Sequence, residues 1–456
     1  MQFASANSTE RTCKLSRRKF GQLAAAAAVG TAAESSMPLG AAAESDAKPF
    51  SDAVDHPISA AVIGCGGIAT HHARVNFAPW FQIDALCDVD RRRAEMYRAV
   101  APDAKTVCSD YRELLERDDI EAFFVCTPDH WHTKVTIDAM RHGKNVYCEK
   151  PLTFSVDEGR VVRQVANETG RVLQVGTQQR SDPKFQTAVA LARSGRLGDV
   201  KRVTVAIGGG PSGGPFETAD VPDGLDWDRW LGQAPMTDYL AQRCHGSFRW
   251  WCEYSGGKLT DWGAHHVDIA LWALGWDAEK SIEIEVLDVV HPVAMKDGWP
   301  TDRQSFNTAN RFTVRCVLPG DVELIIRDNA ADLGFDNGIL FECERGRFFV
   351  NRNRLAGKPI EDLRRIPLTS QERTGIGLGN EAVSHMENFY RSCHGHAVPI
   401  SDFESHIRHL NVCHVANIGL RLGENLRWSA AEARIANHPQ ANDFLVRPQR
   451  SGFEVV

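Results

Sequence analysis

A glycine-rich turn, a strand-end lysine and a carboxylate–imidazole pair are the residues of this 456-residue chain best equipped for chemistry. The first is Gly64-Cys65-Gly66-Gly67-Ile68-Ala69, set between a short apolar run and a helical one. Gly64 permits a tight strand-to-helix turn, and Gly66 lets the main chain approach a pyrophosphate. Ala69 is small enough for close packing of helix on strand. Gly67 and Ile68 open the helix, whose free N–H groups and partial positive charge favour an anion. Asp88 ends the next apolar run, 24 residues after Gly64, placed to accept from a ribose 2′-hydroxyl. Its charge would repel a 2′-phosphate, so the expected cofactor is NAD. Arg91-Arg92-Arg93 just behind it leave NADP open.

Glu149-Lys150-Pro151 closes a later strand. The carboxyl end of a parallel strand faces the ligand crevice, and a proline stops the strand there. A lysine ammonium so placed can hold negative charge on a substrate oxygen, or take part in proton transfer. Thr127-Pro128-Asp129-His130-Trp131-His132 follows the preceding strand at the same level. Thr127, Pro128, His132 and Glu149 are therefore expected on the nicotinamide side of a dinucleotide. Asp261 and His265 are four apart at the start of a stretch, 261–274, that reads as one helix, hence on one face. A carboxylate touching an imidazole there would fix its tautomer and steady its protonated form, making the ring a base. Asp261 would serve equally as a helix cap. Just upstream, His245, Arg249, Trp250 and Trp251 offer indole faces for sugar C–H groups and a guanidinium for hydroxyls or a carboxylate. Arg180, after the sixth strand, is expected to point into the same cleft. No Cys/His cluster has metal-ligand spacing, so no metal is expected.

These residues need elements to hold them. Short β-branched runs at 60–64, 82–88, 106–108, 121–127, 144–148 and 172–178 alternate with helical stretches such as 91–100, 131–142 and 156–169. That alternation means βαβ units and a parallel sheet. After about residue 182 the pattern turns to period-two runs at 281–290, 311–318, 321–328, 338–344 and 347–351, with two helices near 381–393 and 405–423. The expected fold is α/β: a Rossmann parallel sheet over 58–181, then an α+β domain over 182–456 with an open, mostly antiparallel sheet.

Residues 1–43 read as an address. Arg17-Arg18-Lys19-Phe20 precedes an alanine-rich stretch and an Ala41-Ala42-Ala43 end, the order of a twin-arginine export signal, with 44–57 as linker. The expected location is periplasmic, with the export machinery as a partner. The formal charge of −7 gives no general pull toward nucleic acid or an anionic membrane, and no internal run is apolar enough to span one. Of the twelve cysteines, five recur every 18 to 22 residues near strand ends and read as small buried groups, not a disulfide framework.

Together, the turn at 64–69, Thr127-Pro128, Glu149-Lys150-Pro151 and the D-x-G-x-H-x-x-D run at 261–268 resemble the family of glucose–fructose oxidoreductase, inositol dehydrogenase and rhizopine-catabolism dehydrogenases (Gfo/Idh/MocA). The resemblance runs from about residue 58 to the C-terminal helices. It implies Lys150, His265 and Asp261 as the catalytic group, oxidation of a secondary hydroxyl of a sugar or cyclitol, and a homo-oligomer. The stretch 208–257, rich in Gly, Trp and Arg, reads as an insertion that departs from the family. Export sharpens the expectation. Free NAD is not expected outside the cytoplasm, so the cofactor would travel tightly bound and be regenerated at each turnover. Coupled oxidation and reduction of two sugars would do this, as would a redox-neutral hydrolase, lyase or epimerase cycle on a glycoside. A non-catalytic nucleotide- or sugar-binding protein is the reading from another class.

Overall fold

The computed structural model describes residues 56–276, 281–377 and 383–456. The export signal, nearly all of the linker and the first residues of the helix expected from 381 lie outside the described residues.

The first sheet has six strands: β1 (Ile58–Ile63), β2 (Phe81–Cys87), β3 (Thr106–Cys108), β4 (Ala122–Val125), β5 (Asn145–Cys148) and β6 (Leu173–Val175). All pair in parallel, in the order β3-β2-β1-β4-β5-β6. The order reverses direction between β1 and β4, which opens a crevice at the strands' carboxyl ends. Phe123, Phe124, Val125, Val146 and Tyr147 are fully buried, because helices cover both faces of the sheet. The helices Gly67–Val75, Arg91–Tyr97, Asp129–Arg141 and Val156–Thr169 lie between strands as the apolar periodicity requires.

The second sheet has nine strands among the described residues. Its centre is β7 (Val200–Ile207), β8 (Ile282–Val290), β11 (Arg311–Leu318), β12 (Val322–Arg327) and β13 (Asn337–Cys343). β14 (Gly346–Val350) and β15 (Leu355–Ala356) extend one edge, and β16 (Leu426–Ser429) and β17 (Arg434–Ile435) extend the other. Two two-residue strands, β9 (Met295–Lys296) and β10 (Trp299–Pro300), form a separate ribbon. Among the described residues of the large sheet only β7 and β12 pair in parallel. Strand β11 alternates exposed or half-buried with buried residues, the mark of a sheet with one face on a core. That face is covered by the helices Gly263–Leu274 and Phe403–Leu422. All eleven cysteines among the described residues are free thiols, most of them buried.

Arg180 corrects its own expectation. It does not enter the cleft; it lies in the interior, where its Nε and Nη2 donate to the two oxygens of Asp268 at 2.7 and 2.5 Å. Its Nη1 donates to Ser405 Oγ and the Ile400 carbonyl, and His409 also meets Asp268. Three segments are tied by this one forked pair. Replacing Arg180 by Leu strands a buried carboxylate, and a loss of about 3–5 kcal/mol is expected in the denaturant-unfolding free energy. A loss below about 1 kcal/mol would show that the pair does not hold these segments.

The interior also stores histidines. Burial holds His266, His385 and His414 down to about 4, and His130 and His406 to about 3. Above roughly pH 6.5 such rings are neutral both folded and unfolded, so they contribute nothing. Below it the unfolded chain takes up protons that the folded chain refuses. Stability is therefore expected to fall as pH drops from about 6.5 toward 4, by ~1.4 kcal/mol per pH unit for each proton taken up. Unfolding free energies that stay level from pH 7 to pH 5 would contradict this.

Candidate active site

The glycine turn folds as its residue types require. Gly64 has φ +91°, and a Cβ there would come within 2.7 Å of the Cys126 carbonyl and the Thr127 nitrogen. A Cβ on Gly67 would meet nothing within 4 Å, so the main chain faces open space. The helix from Gly67 has no acidic residue in its first turn and no side-chain cap, so its first N–H groups keep their affinity for an outside acceptor. A cavity of about 340 Å³ opens there, lined by Gly64, Gly66, Gly67, Ile68, Asp88 and Thr127 among others. Thr127 Oγ1 is buried without a protein partner. Pro128 lines the same cavity, while Ala69 is fully buried behind it as a packing residue. These features fit a dinucleotide.

Asp88 does more than the sequence shows. Its Oδ2 accepts from the Cys65 N–H and its Oδ1 from the Asp90 N–H, each at 2.8 Å, so it braces the glycine turn from below. Burial pushes its carboxyl up to about 6, against the pull of those two N–H groups. It is ionised at pH 7 and still lines the cavity.

Two residues expected on the nicotinamide side stand behind the wall. The ring nitrogens of His132 lie 2.7 Å from the Pro151 carbonyl and 2.9 Å from the Thr127 carbonyl, so the ring is a strut between two loops. Glu149 is buried against His72 Nε2 at 2.8 Å and accepts from Gln178 Nε2 at 2.9 Å.

The lysine is where strand-end logic puts it. Lys150 Nζ donates to Asp261 Oδ1 at 2.5 Å and to the Asp261 carbonyl at 3.1 Å. Arg249 Nε donates to the same Oδ1 at 3.3 Å. Burial alone would raise the Asp261 carboxyl, but these two cations hold it well below the usual carboxylate range. The expected Asp261–His265 contact does not form. The helix is interrupted at Trp262, between Lys258–Asp261 and Gly263–Leu274, and the carboxylate turns to the cations. His265 is nevertheless close to the pair. Burial, with the charges of Lys150 and Arg352 added, keeps its ring well below its usual value and hence neutral. Its Nδ1 is buried without a partner.

The upstream candidates divide. Trp251 is fully buried; its Nε1 donates to the Gln242 carbonyl and Arg243 lies 4.1 Å over its ring, so it is core and not a sugar platform. His245, with φ +53°, lines the dinucleotide cavity beside Asp90 and Arg93, not the substrate side. Arg249 sits at the boundary between that cavity and Asp261. Trp250 is half-buried, with Lys258 Nζ 5.7 Å from its ring.

The sequence reading passed over several groups. Trp262 packs 6.2 Å from the His265 ring and carries Arg352 on one side at 4.6 Å and Lys258 at 5.8 Å. Trp262 and Lys258 lie within or just before a motif already noted, whereas Arg352 comes from a distant hairpin turn that no local signal connects to the site. Chain 447–453 was also missed. Arg447 pairs with Glu158 at 2.7 Å and Arg450 with Asp228 at 2.6 Å, and Gly452 and Phe453 complete the cavity wall beside Trp131.

Comparison with known proteins adds to the geometry. Residues 58–177 match the model of the Gfo/Idh/MocA oxidoreductase family with its NAD-binding Rossmann fold, and residues 213–308 match that family's C-terminal alpha/beta domain. The second match takes in most of 208–257, so that stretch is family domain and not an insertion. An uncharacterized oxidoreductase of Bacillus subtilis, YrbE, is 32% identical over 191 residues, and the NAD(+)-dependent scyllo-inositol 2-dehydrogenase of the same organism is 31% identical over 195. These matches cover 40% of this chain and 55% and 56% of the relatives, so the chain matches about half the length of each. The structure of myo-inositol 2-dehydrogenase from Lactobacillus plantarum superposes with a TM-score of 0.55 at 16% identity, covering 81% of this chain and 99% of that one, a likeness of fold. With both family models matched in order along it, the chain belongs to the Gfo/Idh/MocA oxidoreductase family.

Proposed function

We propose that this chain is an NAD-dependent oxidoreductase acting on a secondary hydroxyl of a sugar, glycoside or cyclitol. The observation that carries the reading is the Lys150 ammonium clamped on Asp261 near a neutral, buried imidazole, with Arg249 linking that aspartate to a cavity that suits a dinucleotide. NAD, when bound, supplies the hydride acceptor. Gly64, Gly66, Gly67 and Ile68 would hold its pyrophosphate, Asp88 its adenosine ribose, and Thr127 and Pro128 would border it. His265 takes the hydroxyl proton at Nε2, and Lys150 holds the charge that grows on the oxygen. Asp261 positions Lys150, a different task from orienting the histidine. Members of the family named for inositol make a polyhydroxylated ring a reasonable substrate. The ionised Asp88 favours NAD over NADP.

The proposal extends to an exported, periplasmic protein that carries its cofactor and works as a homo-oligomer. A redox-neutral cycle on a glycoside, as hydrolase, lyase or epimerase, is the second reading. What favours it is the cavity's largely apolar flank: Trp230, Phe248 and Phe453 give a cofactor that stays bound and is recycled a surface to pack on.

Lys150→Ala and His265→Ala are each expected to lower kcat by about 10²–10⁴-fold, with NAD affinity little changed. Unchanged turnover in both variants would refute the roles. A screen of sugars and aryl glycosides without added NAD, following bound NADH absorbance and product together, separates net oxidation from redox-neutral cleavage. NAD binding is expected to weaken as pH falls through about 6, where Asp88 becomes protonated, and Asp88→Asn is expected to remove most of that pH dependence. Equal pH dependence in the variant would remove Asp88 from the ribose site.

A further inference from the structure

The cations that line the dinucleotide cavity are nearly all answered. Arg112 and Arg229 pair with Asp110, Lys134 with Asp138, and Arg249 with Asp261. Arg93 is the exception: among the described residues no carboxylate lies within 4.0 Å of its guanidinium. The acid that feels its charge, Asp88, spends both oxygens on the Cys65 and Asp90 N–H groups. The Asp90 carboxylate is gripped by the guanidinium of Arg92.

Arg93 stands at the glycine cradle. A Cβ on Gly66, the glycine that lets the main chain approach a pyrophosphate, would lie 3.9 Å from Arg93 Nη1. Its Nε donates to His245 Nε2 at 3.4 Å, while Nη1 and Nη2 have no acceptor among the described residues. His245 comes from the other half of the chain, at the start of the short turn His245–Trp250. Its φ of +53° is one that a residue with a Cβ keeps only where its surroundings hold it. Burial, with the charge of Arg93 added, lowers the ring to about 4, so it is neutral at pH 7 and its Nε2 can accept. The same turn carries Arg249 to Asp261.

We propose that Arg93, aimed by His245, is a clasp on the pyrophosphate of the cofactor. Its free Nη1 and Nη2 donate to phosphate oxygens alongside the main-chain N–H groups of the glycine turn, as a guanidinium's paired donors suit. This rests on the dinucleotide reading above and adds one residue from each half of the chain to it. Arg93 binds the cofactor, and His245 is a positioning residue. The ribose 2′ position is left to Asp88, so Arg93 does not make the site one for NADP.

The test titrates the purified protein, stripped of carried-over nucleotide with charcoal, against NAD, ADP and NADP by calorimetry at low and high salt. Arg93 is half-buried on a short helix and holds no carboxylate, so its replacement leaves the fold intact. Arg93→Gln is expected to weaken NAD, ADP and NADP by similar factors of tenfold or more. It is also expected to flatten the loss of NAD affinity with added salt. His245→Ala is expected to weaken NAD severalfold. His245→Gln, which restores an acceptor at the reach of Nε2, is expected to recover most of that loss. In the Arg93→Gln background His245→Ala is expected to cost nothing more. A loss confined to NADP would put Arg93 at a 2′-phosphate and overturn the inference. So would NAD and ADP affinities and a salt dependence that Arg93→Gln leaves unchanged. Fully additive losses at the two positions would overturn the role of His245. A wild-type protein that binds neither NAD nor ADP would overturn the dinucleotide reading together with the clasp. Binding that depends on Arg93, without turnover of any sugar, would support the clasp and count against the oxidoreductase reading alone.

Discussion

The site depends on a single ion pair across two domains: Lys150, from the end of β5, on Asp261, from the C-terminal half. Neither charge could sit in so enclosed a place alone, because an unpaired buried charge costs several kcal/mol. The pair sets the lysine at one height above the crevice. It draws Arg249 toward the same oxygen, and its cation helps keep the neighbouring His265 uncharged. A neutral imidazole and a lysine paired with a carboxylate thus stand side by side.

The surrounding scaffold keeps that geometry firm. Segment 213–257 is pinned to the first sheet where Asp226 N–H donates to the Val89 carbonyl and Arg91 N–H to the Gly224 carbonyl. His130 and the Trp131 indole both meet the Trp230 carbonyl. From the opposite side, Arg180 and Asp268 lock the helix of His265 to the helix Phe403–Leu422. The histidine therefore hangs on a helix held at both ends of the interface.

Much of this was legible in residue order. Period and punctuation placed the six parallel strands within a few residues, because each is an apolar run bounded by turn residues. Gly64, Asp88, Lys150 and Pro151 were found because a strand end fixes where its residues point. What failed was the step from a shared helix face to a contact. Trp262, between the two helical pieces, keeps helical backbone angles, yet the Asp261 carboxylate pairs with a lysine from another domain and not with the histidine nearby. Arg180 and Trp251 misled because an arginine or tryptophan in a sequence carries no mark of whether it faces a cleft or a core partner. Arg352 lay beyond reach, since a turn far along the second sheet meets Trp262 only through the tertiary fold.

The side of the cofactor cavity closed by Gly452 and Phe453 has a consequence for how the molecule is made. The glycine turn leaves the ribosome long before those residues do. Until the segment 447–453 docks through Arg447 and Arg450, the cavity lacks that flank. That flank is built from sequence far along the chain from the glycine turn, so the finished shape of the cavity reports on the folding of both sheets together and not on the first sheet alone.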